Sequence, residues 1–521
     1  MNEQIAAAFH QLPNYLGNHV LISAAAMALG LILSLPLAVV AAHNATLRWV
    51  VLAIAGIVQT IPGLALLALF YPLLLGASVL TQRSLGVSLP AFGFLPSLLA
   101  LTLYSMLPIL RNGVAGLTGV DPRLIEAADG VGMTLRQRLF QVEAPLAAPV
   151  VMAGVRTAAV WTIGSATLAT SVGQTSLGNY IFSGLQTENW VFVLFGCAAA
   201  TMLALVVDQL LGLVETGVAT RDRRHLAAGL VGLAAMTAVS LFPLLAAERP
   251  AYVIGAKNFS EQFILAELMS TRLEALGARV RQKESLGSAV AFRALAGGDI
   301  DAYVDYAGTL WRNVLGRMDM PPKAQMLAEL TRLLHDQYGV EVLGSLGFEN
   351  AYVLVMAGDK ARAGAFVSIA DLAVKAPELT LGSDLEFLSR PEWLALKSAY
   401  GLAFREEKSY SPTFMYRALQ TKTVDVISAF SSDGRIAAEK LAVLTDPKGV
   451  TPSYDAVILL APRRADDETL RRALRPLVGA ISVERMREAN LTVDRVDHKL
   501  TPKEAAALLA STLDAPSRIY P

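Results

Sequence analysis

Between two long apolar runs the chain carries a polar stretch, Glu126 to Pro145, reading EAADGVGMTLRQRLFQVEAP. Its three acids and two arginines are too costly for hydrocarbon. The flanking runs therefore read as membrane spans, and this stretch as a structured loop on one side. Local chemistry shapes that loop. Asp121 is placed to cap a helix with Pro122 at its first position, and the alanines with Leu124 favour helix. Gly130 and Gly132 then break it, and Thr134 caps a second helix, TLRQRLFQVEA. The expectation is two short helices joined at an elbow, able to dock on a soluble partner and transmit a rigid push.

The rest of the chain divides into two halves. A hydrophobic content of 54% over 521 residues is high for a soluble protein. No lysine precedes Lys257, the first 247 residues are mostly apolar, and charge becomes ordinary after Pro250. We place a membrane domain at 1–247, its polar loop at 121–145, and a soluble domain at 248–521, with AAERPAY near 246–252 as a short linker. Six segments reach the roughly 20 residues a bilayer needs: 17–43, 49–75, 93–112, 146–170, 190–216 and 226–247. Several spans contain Pro36, Pro62, Gly63, Pro72 and Pro108, which permit kinks and close packing. With the N-terminus outside, the inner connections hold Arg48, Arg111, Arg123, Arg136, Arg138, Arg221, Arg223 and Arg224, against Arg83 outside. That bias puts the polar loop in the cytoplasm and everything after 247 outside. The opening MNEQIAAAFHQLPNYLGNH lacks the positive start of a signal peptide. Arg156 and Asp208 fall within spans and read as charges that snorkel to the cytoplasmic face. The lone cysteine, Cys197, excludes a disulfide within the chain and reads as a small buried hydrophobe.

The loop's spacing is Glu126-Ala127-Ala128, three residues, Gly132, nine residues, Val142, one residue, Ala144-Pro145. It resembles the EAA coupling loop of ABC importer permeases. Val142 stands where isoleucine is usual, and Ala144 where leucine is usual. The resemblance implies contact with a cytoplasmic ATPase through Glu126, Ala127, Ala128, Gly132 and Pro145.

From Tyr252 strand and helix patterns alternate: YVIGA, a helix from Ser260, ARVRQ, a helix after Gly287, then AYVDY. This predicts an α/β fold with a mainly parallel sheet. A second α/β region carries LTLGS, VDVISAF and LAVLTD as strands, and DAVILLA returns to the first. Lobe one is then about 251–357 with 454–521, and lobe two about 358–453. A cleft between them suits closure on a small ligand. The stretches IGAKNFSEQ (254–262), DAYVDYAGT (301–309), LEFLSR (385–390), VDVISAFSSDGRI (424–436) and LTDPKGVTPSYDA (444–456) resemble the binding protein of the quaternary-amine, or osmoprotectant, class of ABC importers.

The membrane half is similar to the matching permease, so the resemblance covers nearly the whole chain as a permease fused to its own receptor. It implies a type I importer for glycine betaine, choline or carnitine, with an ergothioneine importer as a close alternative. A quaternary ammonium has no strong donor and is held by aromatic faces. By resemblance the aromatic box is Tyr306, Tyr352, Phe430 and Tyr454, with Phe430 where tyrosine is common. Lys257, Gln262, Thr309 and Arg390 are the candidates for a ligand carboxylate. Asp305 stands where glutamate is frequent and either orients the pocket or caps its turn, and Asp433 supports its loop.

No phosphate-binding loop, HExxH, paired-cysteine motif or GxSxG elbow occurs, and the six histidines are scattered. The chain is therefore expected to be no enzyme and to hold no cofactor or metal itself. ATP and Mg belong to a separate ATPase. One half-channel per chain implies two copies of this chain with two ATPases in a bacterial cytoplasmic membrane. No basic stripe argues for nucleic acid. A membrane-tethered sensor ranks lower, because the predicted cytoplasmic parts are only short loops.

Overall fold

The computed structural model describes residues 2–85, 89–90, 92–186, 189–246, 252–317, 319, 321–451, 453–495 and 498–514. Residues 247–251 of the linker lie outside these. The chain forms two compact units, one built on Met1–Phe182 and Val191–Glu248, the other on Ser183–Trp190 and Arg249–Pro521.

In the first unit, five helices among the described residues are long and apolar enough to cross a bilayer: Gln4–His43, Phe94–Thr118, Leu135–Val172, Trp190–Thr220 and Arg223–Phe242. The expected span at 49–75 is not one helix. Ala45–Thr60 and Gly63–Ser78 meet at 101°. Proline forces the residue before it out of the helical region, and Ile61 is extended at φ −71° and ψ 125°. The helices approach closely through small residues. A Cβ on Gly154 would lie 2.7 Å from the Pro108 carbonyl oxygen, and one on Gly113 would lie 2.8 Å from Ala38 Cβ. Ile32, Leu194, Val239 and Phe242 point outward, as lipid-facing side chains do. Cys197 also lies on an outer surface rather than in the core, because a thiol is as compatible with lipid as with packed side chains.

Arg156 and Asp208 are paired across two spans rather than snorkelling separately. Arg156 donates through Nε and Nη2 to the two carboxylate oxygens of Asp208 at 2.9 and 2.8 Å, and through Nη1 to Glu215 at 2.7 Å. This fork ties the helix Ala144–Ala166 to the helix Trp190–Thr220. Arg156→Leu strands two carboxylates. It should lower the stability of the full chain in detergent by roughly 2 kcal/mol, less than the ~3–5 of a fully buried pair. Adding Asp208→Leu and Glu215→Leu should recover most of the loss in a thermal melt.

The second unit has two five-stranded sheets. The strands are β1 Tyr252–Lys257, β2 Val280–Leu286, β3 Ala302–Tyr306, β4 Glu341–Glu349, β5 Tyr352–Ala357, β6 Thr380–Ser383, β7 Glu406–Ser409, β8 Val426–Phe430, β9 Leu441–Val443 and β10 Asp455–Leu460. Their orders are β2-β1-β3-β10-β4 and β7-β6-β8-β5-β9. Both sheets are mixed rather than mainly parallel. β1 runs parallel to β2 and β3, but β10 is antiparallel to β3 and β4. β6 runs parallel to β7 and β8, but β5 is antiparallel to β8 and β9. β5 and β10 are the strands that carry the chain into each sheet from the other lobe, and they enter against the local βαβ direction. The crossing into lobe two falls at Asn350–Ala351, so β5 belongs to lobe two and the sequence boundary at 357 lies one strand late.

Candidate functional site

The strand ends bring the candidate residues together. Parallel strands β1 and β3 end at Lys257 and Tyr306, the carboxyl edge where open α/β sheets hold ligands. In the other lobe β8 ends at Phe430, directly across from Tyr352 at the start of β5. Tyr454 precedes β10, pressed against the turn after β3. A Cβ on Gly308 would lie 2.9 Å from the Tyr454 ring, so only glycine fits there. Thr309 is buried beside it.

The rings form one contiguous cluster. Tyr352 lies 4.9 Å from Phe430, 6.2 Å from Tyr454 and 4.8 Å from Phe387, centroid to centroid. Phe259 stacks between Phe430 at 5.5 Å and Tyr306 at 6.1 Å. All four rings predicted for the box therefore meet in this cluster, though Tyr306 joins it through Phe259. Phe259 and Phe387 went unassigned in the sequence, although both lie inside the quoted stretches IGAKNFSEQ and LEFLSR.

The charged residues are as buried as the rings. Lys257 donates to Asp305 at 2.7 Å and lies 4.6 Å from the Tyr306 ring centroid. The Asp305 carboxylate also accepts from the Tyr306 N–H and the Tyr303 hydroxyl. Gln262 accepts from the Lys257 N–H at 3.3 Å and donates to the Tyr306 hydroxyl at 2.9 Å. Lys257 and Gln262 thus hold Tyr306 in place.

Arg390, 4% exposed, sets its guanidinium 5.1 Å from the Tyr352 centroid. Its Nη2 donates to Glu386 at 2.5 Å, and Nη1 lies 3.7 Å from Glu392. Its Nε and Nη1 make no hydrogen bond among the described residues. Burial weighs against the charge of Arg390, but the carboxylates of Glu386 and Glu392 act against that burial and favour the charged guanidinium. Asp433 pairs with Arg435 at 2.7 Å and does not touch the rings through any described contact.

One residue that sequence reasoning passed over joins all of these elements. Glu261, 2% exposed, accepts four hydrogen bonds. Oε1 takes the Tyr306 hydroxyl at 2.5 Å and Asn350 at 2.9 Å, and Oε2 takes Ser432 at 2.5 Å and Asn490 at 3.0 Å. Burial pushes its carboxyl up, and the four donors act against that shift. Asn350 lies on the crossing into lobe two, and Ser432 follows the strand that ends in Phe430.

The polar loop of the first unit forms a second candidate surface. Asp121 caps the helix Pro122–Gly130, Gly132 turns the chain at φ +77°, and Thr134 with Gln137 closes a capping box. The second helix does not stop at Ala144. It passes through a π-helical turn, Leu139–Glu143, into Ala144–Ala166. The wide turn, closed by the Ala144 N–H on the Leu139 carbonyl, accommodates Pro145, which has no N–H to give. Arg138 bonds Asp129 at 2.9 Å and Glu143 at 2.7 Å across the elbow. Glu126 and Ala127 are exposed and Ala128 is buried. Val131, Leu135 and Phe140 are each more than 70% exposed.

Residues 250–509 match the family described as the substrate-binding domain of ABC-type glycine betaine transport systems. Residues 34–220 match the inner-membrane component of binding-protein-dependent transport systems. The choline transport system permease protein OpuBB of Bacillus subtilis is 41% identical over 38% of this chain and 83% of its own length. This chain is an ABC importer permease fused to its substrate-binding domain. The glycine betaine/carnitine/choline permease OpuCB of B. subtilis is 40% identical over 38% of the chain and 84% of its own length. The ergothioneine transport permease/ergothioneine binding protein EgtU of Helicobacter pylori is 28% identical over 91% of the chain and 86% of its own length. These relatives are transport proteins rather than enzymes. As a member of this family, the fused importer is a multi-pass protein of the inner membrane with a binding domain of the periplasmic type, working with a cytoplasmic ATPase on a small ligand.

Glu261→Ala leaves four buried donors without an acceptor. It should destabilise the binding domain of the full chain by about 3 kcal/mol or more, and Glu261→Gln by clearly less. Chemical denaturation followed by tryptophan fluorescence measures both.

Proposed function

We propose that the fused importer takes up a small quaternary-ammonium compound of the betaine, choline and carnitine class. The observation that carries this is Arg390, whose Nε and Nη1 are unbonded while its guanidinium lies against Tyr352 in the ring cluster. One buried neighbourhood offers aromatic faces for an ammonium and a free guanidinium edge for a carboxylate. Tyr306, Tyr352, Phe430 and Tyr454 serve as the rings and Arg390 as the carboxylate fork. Lys257, Gln262 and Thr309 shape the lobe-one wall. Ergothioneine is the second reading. It is favoured by the relative that matches along nearly the whole chain and carries the same fusion.

In this reading ATP and Mg are held by a separate ATPase subunit. Two copies of the chain pair as the channel with two ATPases. Glu126, Ala127, Ala128, Gly132 and Pro145 shape the docking elbow, and Val131, Leu135 and Phe140 supply its apolar contact.

Calorimetric titration of the purified full chain with glycine betaine, choline, carnitine, ergothioneine and proline tests the ligand. Tight binding of one quaternary amine is expected, and none from a folded sample would overturn the reading. Tyr352→Ala should weaken that binding by more than the ~0.5 kcal/mol of one exposed cation–π contact. Arg390→Met should weaken carboxylate-bearing ligands and spare choline. In the complex with its ATPase, Glu126→Ala or Gly132→Val should leave affinity intact and abolish ligand-stimulated transport. A parallel fall in affinity would remove these residues from coupling.

A further inference from the structure

Beside the rings lie buried acceptors as well as buried donors without partners. Glu392 is 0% exposed. Its Oε1 accepts from the Tyr454 hydroxyl at 2.6 Å, and its Oε2 has no hydrogen-bond partner among the described residues. Asp384 is 6% exposed. Its Oδ1 accepts from the Phe387 N–H at 2.8 Å to cap the helix Leu385–Ser389, and its Oδ2 has no hydrogen-bond partner among the described residues. The neighbouring groups do not supply the missing protons. Arg390 Nη1 comes only within 3.7 Å of Glu392, on the oxygen that already has Tyr454. Lys257 is bonded to Asp305, and Glu386 brings only another carboxylate.

A buried acceptor without a donor is destabilising, and native structures rarely leave one unexplained. The ligand proposed above answers the free edge of Arg390 with its carboxylate. Neither a carboxylate nor a quaternary ammonium carries a proton to give, so both acceptors would remain unanswered. We propose that Glu392 and Asp384 are specificity-determining residues that select ligands bearing an N–H or O–H donor in addition to the quaternary ammonium. Glycine betaine has no such group. Carnitine has a hydroxyl and ergothioneine a ring N–H. A site built to receive a hydrogen bond rejects the analogue lacking it more strongly than an apolar pocket rejects a missing methylene. Burial pushes the Asp384 carboxyl up, and a ligand donor on Oδ2 would act against that shift.

The inference rests on the quaternary-amine reading, and the test separates the two. The full chain in detergent is titrated with carnitine, with γ-butyrobetaine (the same molecule without the hydroxyl), with ergothioneine and with glycine betaine. The wild type should bind a donor-bearing ligand about tenfold or more tighter than its donor-free counterpart. Glu392→Gln keeps an oxygen for Tyr454 but replaces the free acceptor with an N–H. It should bring that ratio close to one by weakening only the donor-bearing ligands. Asp384→Asn is the second variant, with the same direction expected, should the first fail to fold. Equal affinity of the wild type for carnitine, ergothioneine and the two donor-free ligands would overturn the inference and leave the quaternary-amine reading standing. A uniform loss for every ligand in Glu392→Gln would do the same. No binding of any quaternary amine to folded wild type would remove both.

Discussion

The binding domain depends on a single buried carboxylate. Glu261 sits at the start of the helix Ser260–Glu274 and takes protons from lobe one, from the crossing segment and from lobe two. A carboxylate so deeply buried is costly unless its oxygens are filled, and here four donors fill them. Each donor is thereby fixed in place. The Tyr306 hydroxyl is one, so the orientation of a cluster ring is set by the same group that holds the hinge. The crossing is tied further by Ser431, whose Oγ accepts from the Ala351 N–H at 2.9 Å and whose own N–H donates to the Ala351 carbonyl at 2.8 Å. Ring geometry and lobe position are therefore not independent variables.

In this structure the protein's own cations lie against the ring faces. Lys257 lies over Tyr306 and Arg390 over Tyr352, and the rings otherwise pack on one another. Tyr306, Tyr352 and Tyr454 are each at most 7% exposed. In the proposed reading, a ligand ammonium would need ring faces that the two cations do not already cover. Burial raises the tyrosine hydroxyls well above the ordinary phenol range, so they stay neutral and add no anion to a site already rich in carboxylates.

What could be read from the sequence followed the range of the interaction. Apolar runs long enough to span a bilayer were legible, whereas the bend at Pro62 is a backbone effect that hydropathy does not carry. Seven of the ten strands of the binding domain were legible in the sequence, and β5, although Tyr352–Ala357 is itself apolar, went unassigned together with β7 and β4. β7 was missed because Glu406–Ser409 has only charged and polar side chains. β4 was missed because Gly344 and Gly347, both at positive φ, interrupt its alternation. The ring positions followed from motifs. Glu261 did not, because its partners Asn350, Ser432 and Asn490 stand 89, 171 and 229 residues away. The Arg156 fork was hidden in the same way, with partners 52 and 59 residues off. The direction of β5 and β10 depends on how the chain crosses between lobes, which local periodicity does not encode.

The fusion itself has a quantitative consequence. Only residues 247–251 separate the last membrane helix, which ends at Ala246, from β1 at Tyr252. Even fully extended, so few residues reach only about 20 Å. Each permease therefore carries its own receptor on a tether of that reach. The ratio of receptor to permease is fixed at one by the chain itself. Raising expression raises capacity without changing the fraction of permeases that have a receptor at hand.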